Sequence, residues 1–295
     1  MKGTPMKVTV KAFAKINLML DILKTLPNGF HDLFMLMQSV SLFDTVSVET
    51  TESGKIEINC DNPAIPTGEK NIAYKAAKAF FDETKIENPG VAINIEKRIP
   101  HAAGLAGGSA DAAGTIIALK TLFLPSLGDR EIIKIGAKVG SDVPFCALGG
   151  TMLAQYTGTV LSYLPDLNLG KIIIVKPKMS VSTGEAYKAF DTAERVRHID
   201  RDGILFSVMN GDFDGVYSRV ENVFEQFIDV PERIIIKAEM RKHGACCCCM
   251  SGSGPSVFGV FKNAADAEKC YDSLKKKFEQ VFLCDAVKNG TEIVE

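Results

Sequence analysis

The segment at residues 100–113, PHAAGLAGGSADAA, joins small side chains to the predicted start of a helix. Small residues let a backbone come close to a ligand, and the first amides of a helix have no partner within it. The helix macrodipole adds partial positive charge there, so such a segment can bind phosphate. Ser109 could add a hydroxyl to a phosphate or to Mg²⁺. A helix start built only for tight packing explains the same residues, and both interpretations stay open at this point.

Two common nucleotide motifs are excluded for this segment. No Gly-Lys-Ser/Thr ends it, so it is not a Walker A loop, and its glycines lack the offsets of the dinucleotide fingerprint. A second small-residue turn, MSGSGPS at 250–256, lies between two predicted strands, where glycine permits positive φ. By itself this second turn is equally consistent with an ordinary hairpin.

The eight cysteines do not indicate a metal site or a disulfide framework. Four of them are consecutive, at residues 246–249, and adjacent strand residues point to alternate faces, so they cannot all bind one metal. Their spacing also differs from that of small secreted domains. We interpret the run as small buried hydrophobic residues; a redox switch has no other support in the sequence.

Composition predicts an ordinary globular protein. The chain has 295 residues and a net charge of −2, which favours two domains and argues against a nucleic-acid or anionic-membrane partner. The lysine-containing N-terminal segment has no apolar run typical of a secretory signal. No stretch is predicted to span a membrane. We expect a cytoplasmic protein that is a monomer or a weak homodimer.

Hydrophobic periodicity predicts mixed helices and strands. In the first half, strands are expected at 8–12, 16–20, 45–50, 55–60 and 91–96, and helices at 71–82, before Pro125 and at 130–139. In the second half, strands are expected at 171–175, 246–250, 256–261 and 280–287, and helices at 183–190, 231–242 and 264–278. That second order, β-α-β-β-α-β with a helical insert, is typical of a ferredoxin-like unit. We place the boundary within residues 151–169, giving domains 1–160 and 161–295.

Several segments together resemble the GHMP small-molecule kinases. The three family motifs correspond to AKINL at 14–18, the small-residue segment at 100–113 and the turn at 250–256. The likeness is closer to the branch that acts on a cytidine-bearing substrate, through NGFH at 28–31, VGSDVPF at 139–145 and NVFE at 222–225. These segments occur in order over almost the whole chain.

The resemblance implies a fold and an activity. The fold would be α+β, with an N-terminal domain like domain 2 of ribosomal protein S5, a ferredoxin-like C-terminal domain and a site in the cleft between them. The activity would be Mg²⁺-dependent transfer of the γ-phosphoryl of ATP to the 2-hydroxyl of a cytidine-diphosphate-linked methylerythritol, a small-molecule substrate of the non-mevalonate route to isoprenoids. The alternatives are another GHMP kinase, a non-catalytic metabolite-binding protein and a dinucleotide-dependent oxidoreductase, which the missing fingerprint disfavours.

The resemblance also assigns the catalytic pair. Asp142 would accept the proton of the attacking hydroxyl, and Lys15 would pair with Asp142 and meet charge developing on the phosphoryl group. Without the resemblance, Lys15 would be interpreted as a surface lysine on a strand. Asp142 would equally be a helix cap or a turn residue before Pro144.

Further residues are implied to bind the two substrates. ATP would be bound by Asn71, Lys97, Pro100, Gly104, Leu105, Ala106, Gly107, Gly108, Ser109 and Ala110, with Ser109 as the Mg²⁺ ligand. The acceptor substrate would be bound by Asn17, Phe30, His31, Asp142 and Thr183. For three of these the residues alone allow a simpler role: a solvated strand end for Lys97, a solvated loop residue for His31, and an N-cap for Thr183.

Two departures from the family pattern are visible. Phe30 stands where many relatives have tyrosine, so stacking is expected there without a phenol hydrogen bond. Ala102, Ala103 and Ala106 stand where relatives often carry glycine. Because alanine favours negative φ, we expect that conformation at these positions and a methyl group facing the nucleotide.

Overall fold

The computed structural model describes residues 6–294, and its first sheet is built on two unusually long strands. These are β1 (Lys7–Thr25) and β2 (His31–Thr50), which pair antiparallel around the turn at 27–29. The predicted strands at 8–12 and 16–20 are parts of β1, and the first two thirds of β2 were not predicted. Both strands are buried on both faces along most of their length, which removes the alternation that periodicity relies on.

The other strands of the first sheet extend this hairpin. They are β3 (Ile56–Cys60), β4 (Val91–Glu96), β5 (Thr151–Tyr156), β6 (Val160–Tyr163), β8 (Glu221–Asn222) and β12 (Thr291–Ile293). β4 pairs with the second half of β2, and β5 with its first half. β8 and β12 both pair with β1. The first sheet therefore contains strands from both the beginning and the end of the described residues.

Helices cover this sheet and bring one helix start to the cleft. They are α1 (Ile72–Thr84), α2 (Gly107–Phe123), α3 (Asp129–Val139) and α4 (Val143–Leu148). α2 is largely buried and rich in Ala and Gly. A Cβ at Gly114 would lie 3.1–3.2 Å from Val46 and Ala12 side chains, so glycine lets α2 approach β1 and β2 closely.

The second sheet is formed by β7 (Lys171–Lys176), β9 (Cys247–Met250), β10 (Val257–Phe261) and β11 (Gln280–Asp285). Its order is β11-β7-β10-β9 with every pair antiparallel, and α8 (Pro231–Lys242) and α9 (Ala264–Lys275) supply the helices of the repeat. This is the predicted ferredoxin-like arrangement. The insert between β7 and α8 contains α5 (Thr183–Asp191), α6 (Arg201–Met209) and α7 (Phe213–Ser218).

The α+β prediction is confirmed, and the domain division remains a prediction. The division at 160/161 falls at β6, and residues 291–293 return to the first sheet. Residues 1–5, part of the segment interpreted as lacking a secretory signal, and residue 295 lie outside the described residues. None of the helices formed within residues 6–294 has the length and apolar character needed to cross a bilayer.

The cysteine run lies mainly inside the second sheet. Cys247, Cys248 and Cys249 are buried in β9, whereas Cys246 is exposed. Burial raises the pKa of Cys248 to about 11, so this thiol stays protonated near neutral pH and is a poor nucleophile and metal ligand. The interpretation as buried hydrophobic residues is confirmed for three of the four.

Candidate active site

A cleft of about 930 Å³ lies where the two sheets meet. Thirteen of the sequence-predicted site residues line it: Lys15, Phe30, His31, Asn71, Lys97, Pro100, Gly104, Ala106, Gly107, Gly108, Ser109, Asp142 and Thr183. The other three, Asn17, Leu105 and Ala110, are buried and are not among the lining residues. Folding therefore brings residues that are far apart in the sequence to the walls of one cleft.

The start of α2 has the features of an anion site. Its N-cap, Ala106, makes no side-chain hydrogen bond to the first turn, so the amides of Gly107, Gly108 and Ser109 have no capping partner. No hydrogen bond to the Ser109 hydroxyl is formed within residues 6–294, and Ser109 faces the cleft. This helix start can therefore accept phosphate oxygens, as expected of a cradle.

The expectation of negative φ is wrong for two of the loop alanines. Ala102 has φ of 49° and Ala106 has φ of 60°. A left-handed conformation costs an alanine roughly 1–2 kcal/mol, and such strain persists only where surrounding contacts impose it. Here the carbonyls of Ala103 and Gly104 accept hydrogen bonds from Ser256 and Ser251, so contacts within the loop hold alanine in the conformation that glycine would adopt freely.

The loop before α2 (residues 100–106, the phosphate loop) is in direct contact with the turn at residues 250–256 (the glycine turn). Ser251 Oγ donates to the Gly104 carbonyl at 2.9 Å, and the Ser256 amide donates to the Ala103 carbonyl at 3.3 Å. Gly104 has φ of +74°, and a Cβ there would lie 2.1 Å from the Ser251 carbonyl oxygen. The turn at 250–256 thus connects β9 and β10 as a hairpin, and it also fixes the position of the loop before α2; we call this second role the clamp.

Lys15 is buried and paired, which contradicts its interpretation as a surface lysine. It is only 4% exposed, and its Nζ lies 2.7 Å from Asn17 Oδ1 and 3.6 Å from Asp142 Oδ2. Asn17 Oδ1 also accepts from the Gly252 amide at 3.0 Å. Asn17 therefore orients Lys15 from behind the cleft surface and joins it to the glycine turn.

Asp142 occupies the N-cap position of α4, but its side chain makes no capping hydrogen bond. Its carboxylate is 30% exposed and faces the cleft beside the Lys15 ammonium. Asp142 therefore occupies the cap position of the backbone without using its side chain as a cap, and its carboxylate is free of that hydrogen bond. A carboxylate held next to a buried ammonium can accept a proton from a hydroxyl in the cleft.

Lys97 is engaged in a buried charge cluster rather than solvated at a strand end. Its ammonium contacts Asp44 and lies 2.7 Å from Asp111 Oδ2. Asp44 also accepts from the amides of Arg98 at 2.5 Å and Ile99 at 2.8 Å. Asp111 Oδ1, in contrast, is buried without a hydrogen-bond partner among the residues described.

Two carboxylates thus share one ammonium beside the cleft. Burial raises the pKa of Asp111 to about 8, with Lys97 opposing and Asp44 reinforcing the shift. Asp111 therefore carries a proton over part of the neutral range, where an exposed aspartate would be ionised. Neither Asp44 nor Asp111 was singled out from the sequence, because the pairing depends on a strand–helix contact.

His31 lies in an aromatic cluster, which contradicts the solvated-loop alternative. It is 8% exposed, and its ring stacks on Tyr187 with centroids 4.4 Å apart. Tyr187 in turn meets Phe224 edge-on at 5.2 Å. Tyr187 and Phe224 both line the cleft; the sequence signal that could have found Tyr187 is its place on the apolar face of α5.

Of the two predicted site residues Thr183 and Asn71, only Asn71 caps a helix with its side chain. The N-cap of α5 is Ser182, whose side chain accepts from the Glu185 amide, so Thr183 is not the cap. Its Oγ1 lies 3.0 Å from Ser253 Oγ in the glycine turn. Asn71 caps α1, with Oδ1 accepting from Ala73 N at 2.7 Å.

Residues 6–294 contain no group of three or more His, Cys, Asp or Glu side chains able to hold a metal ion. Mg²⁺ in nucleotide sites usually takes one or two protein ligands together with phosphate oxygens and water. The unpartnered Ser109 hydroxyl beside the phosphate cradle fits that mode of binding.

Family models match both halves of the chain. Residues 71–150 match the model described as GHMP kinases N terminal domain, and residues 216–280 match GHMP kinases C terminal. Two curated relatives are named 4-diphosphocytidyl-2-C-methyl-D-erythritol kinase. The Clostridium acetobutylicum protein is 40% identical, covering 95% of this chain and 100% of the relative. The Clostridium beijerinckii protein is 42% identical, covering 93% and 98%.

Solved structures agree with this fold. A crystal structure of a 4-(cytidine 5'-diphospho)-2C-methyl-D-erythritol kinase superposes with a TM-score of 0.76 at 28% identity, covering 96% of this chain and 99% of that chain. Homoserine kinase from Cytophaga hutchinsonii superposes with a TM-score of 0.80 at 18% identity, covering 100% and 99%. The second likeness concerns the fold alone.

Replacing Gly104 should disrupt the contact between the loop and the turn. In Gly104→Ala the methyl group meets the Ser251 carbonyl, and the left-handed backbone is strained, so we expect a loss of about 2–4 kcal/mol in the free energy of unfolding. Gly108→Ala is the control, because its Cβ would have only an ordinary contact with Ile72 at 3.5 Å. Thermal unfolding without ligands measures both variants; equal unfolding temperatures would contradict the clamp.

The two carboxylates around Lys97 should respond differently to amide substitution. Folding raises the pKa of Asp111, so its ionisation makes the folded state less stable as pH rises from about 4 to about 8. The difference in unfolding free energy between Asp111→Asn and the parent should therefore shift in favour of the variant when the pH is raised from 5.5 to 8.5.

Asp44→Asn should be destabilising at both pH values, because an amide cannot replace a carboxylate that accepts from two backbone amides and a lysine. Denaturant unfolding at the two pH values provides the measurement. A pH-independent effect of Asp111→Asn would show that its carboxyl titrates normally.

Proposed function

The chain belongs to the GHMP kinase family, and from this membership we propose its reaction. It transfers the γ-phosphoryl group of ATP to the 2-hydroxyl of 4-diphosphocytidyl-2-C-methyl-D-erythritol, a step of the non-mevalonate route to isoprenoid precursors. The acceptor follows from the names of relatives about 40% identical over nearly the full length.

The observation that carries this proposal is the Lys15–Asp142 pair beside an uncapped helix start. The 3.6 Å separation of Nζ and Oδ2 joins a potential base to a fixed positive charge. The amides that begin α2 line the same cleft. Phosphoryl transfer depends mainly on positioning and on stabilising charge, and this arrangement supplies both.

In the proposed mechanism, the acceptor hydroxyl forms a new O–P bond with the γ-phosphorus as its proton passes to Asp142. The bond between that phosphorus and the β–γ bridging oxygen breaks, and ADP leaves. Lys15 stabilises the charge that develops on the transferring group. The amides of Gly107 and Gly108 hold phosphate oxygens during the step.

Mg²⁺, when bound, supplies charge neutralisation across the nucleotide phosphates. We propose that the Ser109 hydroxyl is the protein group that holds it. Leu105 and Ala110 support the cradle from behind, since Leu105 accepts from the Lys15 amide at 3.2 Å and Ala110 donates to Ala106 at 2.8 Å.

The acceptor base would occupy the aromatic end of the cleft. Phe30 is 60% exposed there and offers a stacking face, while His31 and Tyr187 form the adjacent wall. Asn71 and Lys97 also line the cleft, and we place adenine beside them. Because the Lys97 ammonium is already paired with Asp44 and Asp111, Lys97 would contribute to nucleotide binding through the shape of the cleft wall.

Another GHMP kinase activity is the main alternative, because homoserine kinase shares the fold with a TM-score of 0.80. A non-catalytic metabolite-binding role would not require a lysine buried beside a cleft-facing carboxylate. The cytoplasmic location, the monomer or weak homodimer and the absence of a nucleic-acid or membrane partner stay predictions.

Asp142→Asn should abolish most turnover, because an amide cannot accept the hydroxyl proton. We expect kcat to fall by roughly 10²–10⁴-fold, while calorimetry shows ATP binding within about threefold of the parent. Asp166→Asn is the control, since Asp166 is exposed and pairs with Lys288 outside the cleft. Near-normal turnover of Asp142→Asn would rule out Asp142 as the base.

Substrate identity is tested by ADP release with Mg·ATP and alternative acceptors. The cytidylyl methylerythritol should be turned over at least roughly 100-fold more efficiently than mevalonate or homoserine, since a site built to bind a base rejects acceptors lacking it. Preference for another acceptor would keep the kinase fold but replace the proposed substrate. ATP binding without turnover of any acceptor would favour the non-catalytic role.

A further inference from the structure

The ring of His31 is held on three sides by residues of α5, a helix of the insert in the second half of the chain. Tyr187 stacks on it with an interplanar angle of 23°, and Phe190 meets it edge-on with centroids 5.8 Å apart. Asp191, the last residue of α5, lies 2.8 Å from His31 Nε2 through Oδ1. The ring can therefore neither rotate nor flip without breaking these contacts.

The acceptor at Nε2 is itself constrained. Thr25 Oγ1 donates to the same Asp191 oxygen at 2.8 Å, and these hydrogen bonds lower the pKa of Asp191. Asp191 is consequently a carboxylate at neutral pH, and a carboxylate only accepts hydrogen bonds. The hydrogen in the 2.8 Å contact must belong to Nε2.

A neutral imidazole with its hydrogen on Nε2 has a lone pair on Nδ1. His31 lines the cleft, and no hydrogen bond to Nδ1 is formed by residues 6–294. In the neutral ring, the free nitrogen is a hydrogen-bond acceptor in a largely desolvated aromatic pocket. It suits a ligand that presents an N–H group.

We propose that Asp191 is a positioning residue that fixes the His31 tautomer, so that the cleft selects a base with an exocyclic amine over one with a carbonyl at that position. This inference rests on the proposed function, which places a cytosine at the aromatic end. Cytosine presents an amine where uracil presents a carbonyl oxygen, and that oxygen would oppose the Nδ1 lone pair. Asp191 touches neither reacting group; it acts through His31.

The first test reads the tautomer directly. Long-range ¹H–¹⁵N spectra of the ¹⁵N-labelled chain, with His31 assigned through His31→Gln, should show hydrogen on Nε2 in the parent. Asp191→Asn should shift the ring toward the other tautomer or a mixture, because an amide can donate as well as accept. Hydrogen on Nδ1 alone, or on both nitrogens, in the parent at neutral pH would overturn the proposal.

The second test reads base preference. In Asp191→Asn, the ratio of kcat/KM for the cytidine-bearing acceptor to that for its uridine analogue should fall by about 10-fold. The change should appear in KM for the acceptor, with KM for ATP unchanged. Equal losses for both acceptors, with an unchanged tautomer, would show a merely structural role.

Two variants control for folding and charge. Thr25→Val removes the second donor but leaves the Asp191–His31 contact, so the tautomer and the base preference should be retained. Glu185→Gln removes an exposed carboxylate from the same helix and should change neither. If Asp191→Asn does not fold, Asp191→Glu replaces it: recovery of the Nε2 hydrogen and of base preference supports the proposal, and their loss in a folded Asp191→Glu contradicts it.

Binding to the free protein separates this inference from the proposed function. Calorimetry with cytidine 5'-diphosphate and uridine 5'-diphosphate needs no turnover. A parent that prefers the cytidine nucleotide through an Asp191-dependent tautomer, yet phosphorylates no cytidine-bearing acceptor, would defeat the proposed function alone. Turnover of the cytidine substrate with an Asp191-independent tautomer would defeat this inference alone.

Discussion

The direct backbone contact between Gly104 and Ser251 is the constraint on which the rest of the cleft depends. It leaves no room for a side chain at Gly104, and it joins the loop before α2 to the hairpin of the second sheet. Asn17 extends the junction by accepting from the Gly252 amide while holding Lys15. The loop before α2 and Lys15 are thereby placed relative to one another by a close main-chain contact at Gly104 and by hydrogen bonds of the Ser251 and Asn17 side chains.

Around this junction, charge is buried only where it is paired. Lys15 lies in β1 and Lys97 directly follows β4. Both side chains are nearly inaccessible, and each has carboxylate or amide oxygens within contact. Removing the partners of either lysine would be destabilising, because a buried ammonium would be left without compensation for its lost hydration. The two lysines nevertheless differ in availability. Lys97 is enclosed by two buried aspartates, whereas the aspartate paired with Lys15 is partly exposed to the cleft.

From the sequence we predicted the α+β fold, the ferredoxin-like second half and sixteen site residues, thirteen of which line the cleft. Apolar periodicity predicted the helices, whereas the site residues were implied by short motifs that resemble those of GHMP kinases. Prediction failed where the physics is non-local. The long strand β2 was missed because burial on both faces hides its alternation. Negative φ was wrongly expected at Ala102 and Ala106 because the contacts that strain the loop come from the far end of the chain.

The sequence by itself determined which groups are present: an uncapped helix start, a lysine and an aspartate in recognisable motifs, and a histidine after a turn. Only the tertiary structure decided what each group does. Asn17 is buried behind Lys15, the Lys97 ammonium is enclosed by Asp44 and Asp111, and His31 is held by Tyr187 and Asp191. Composition and spacing determine which chemical groups are available. Their protonation, orientation and access depend on neighbours that folding brings together, at sequence separations from 14 residues for Lys97 and Asp111 to 160 for His31 and Asp191.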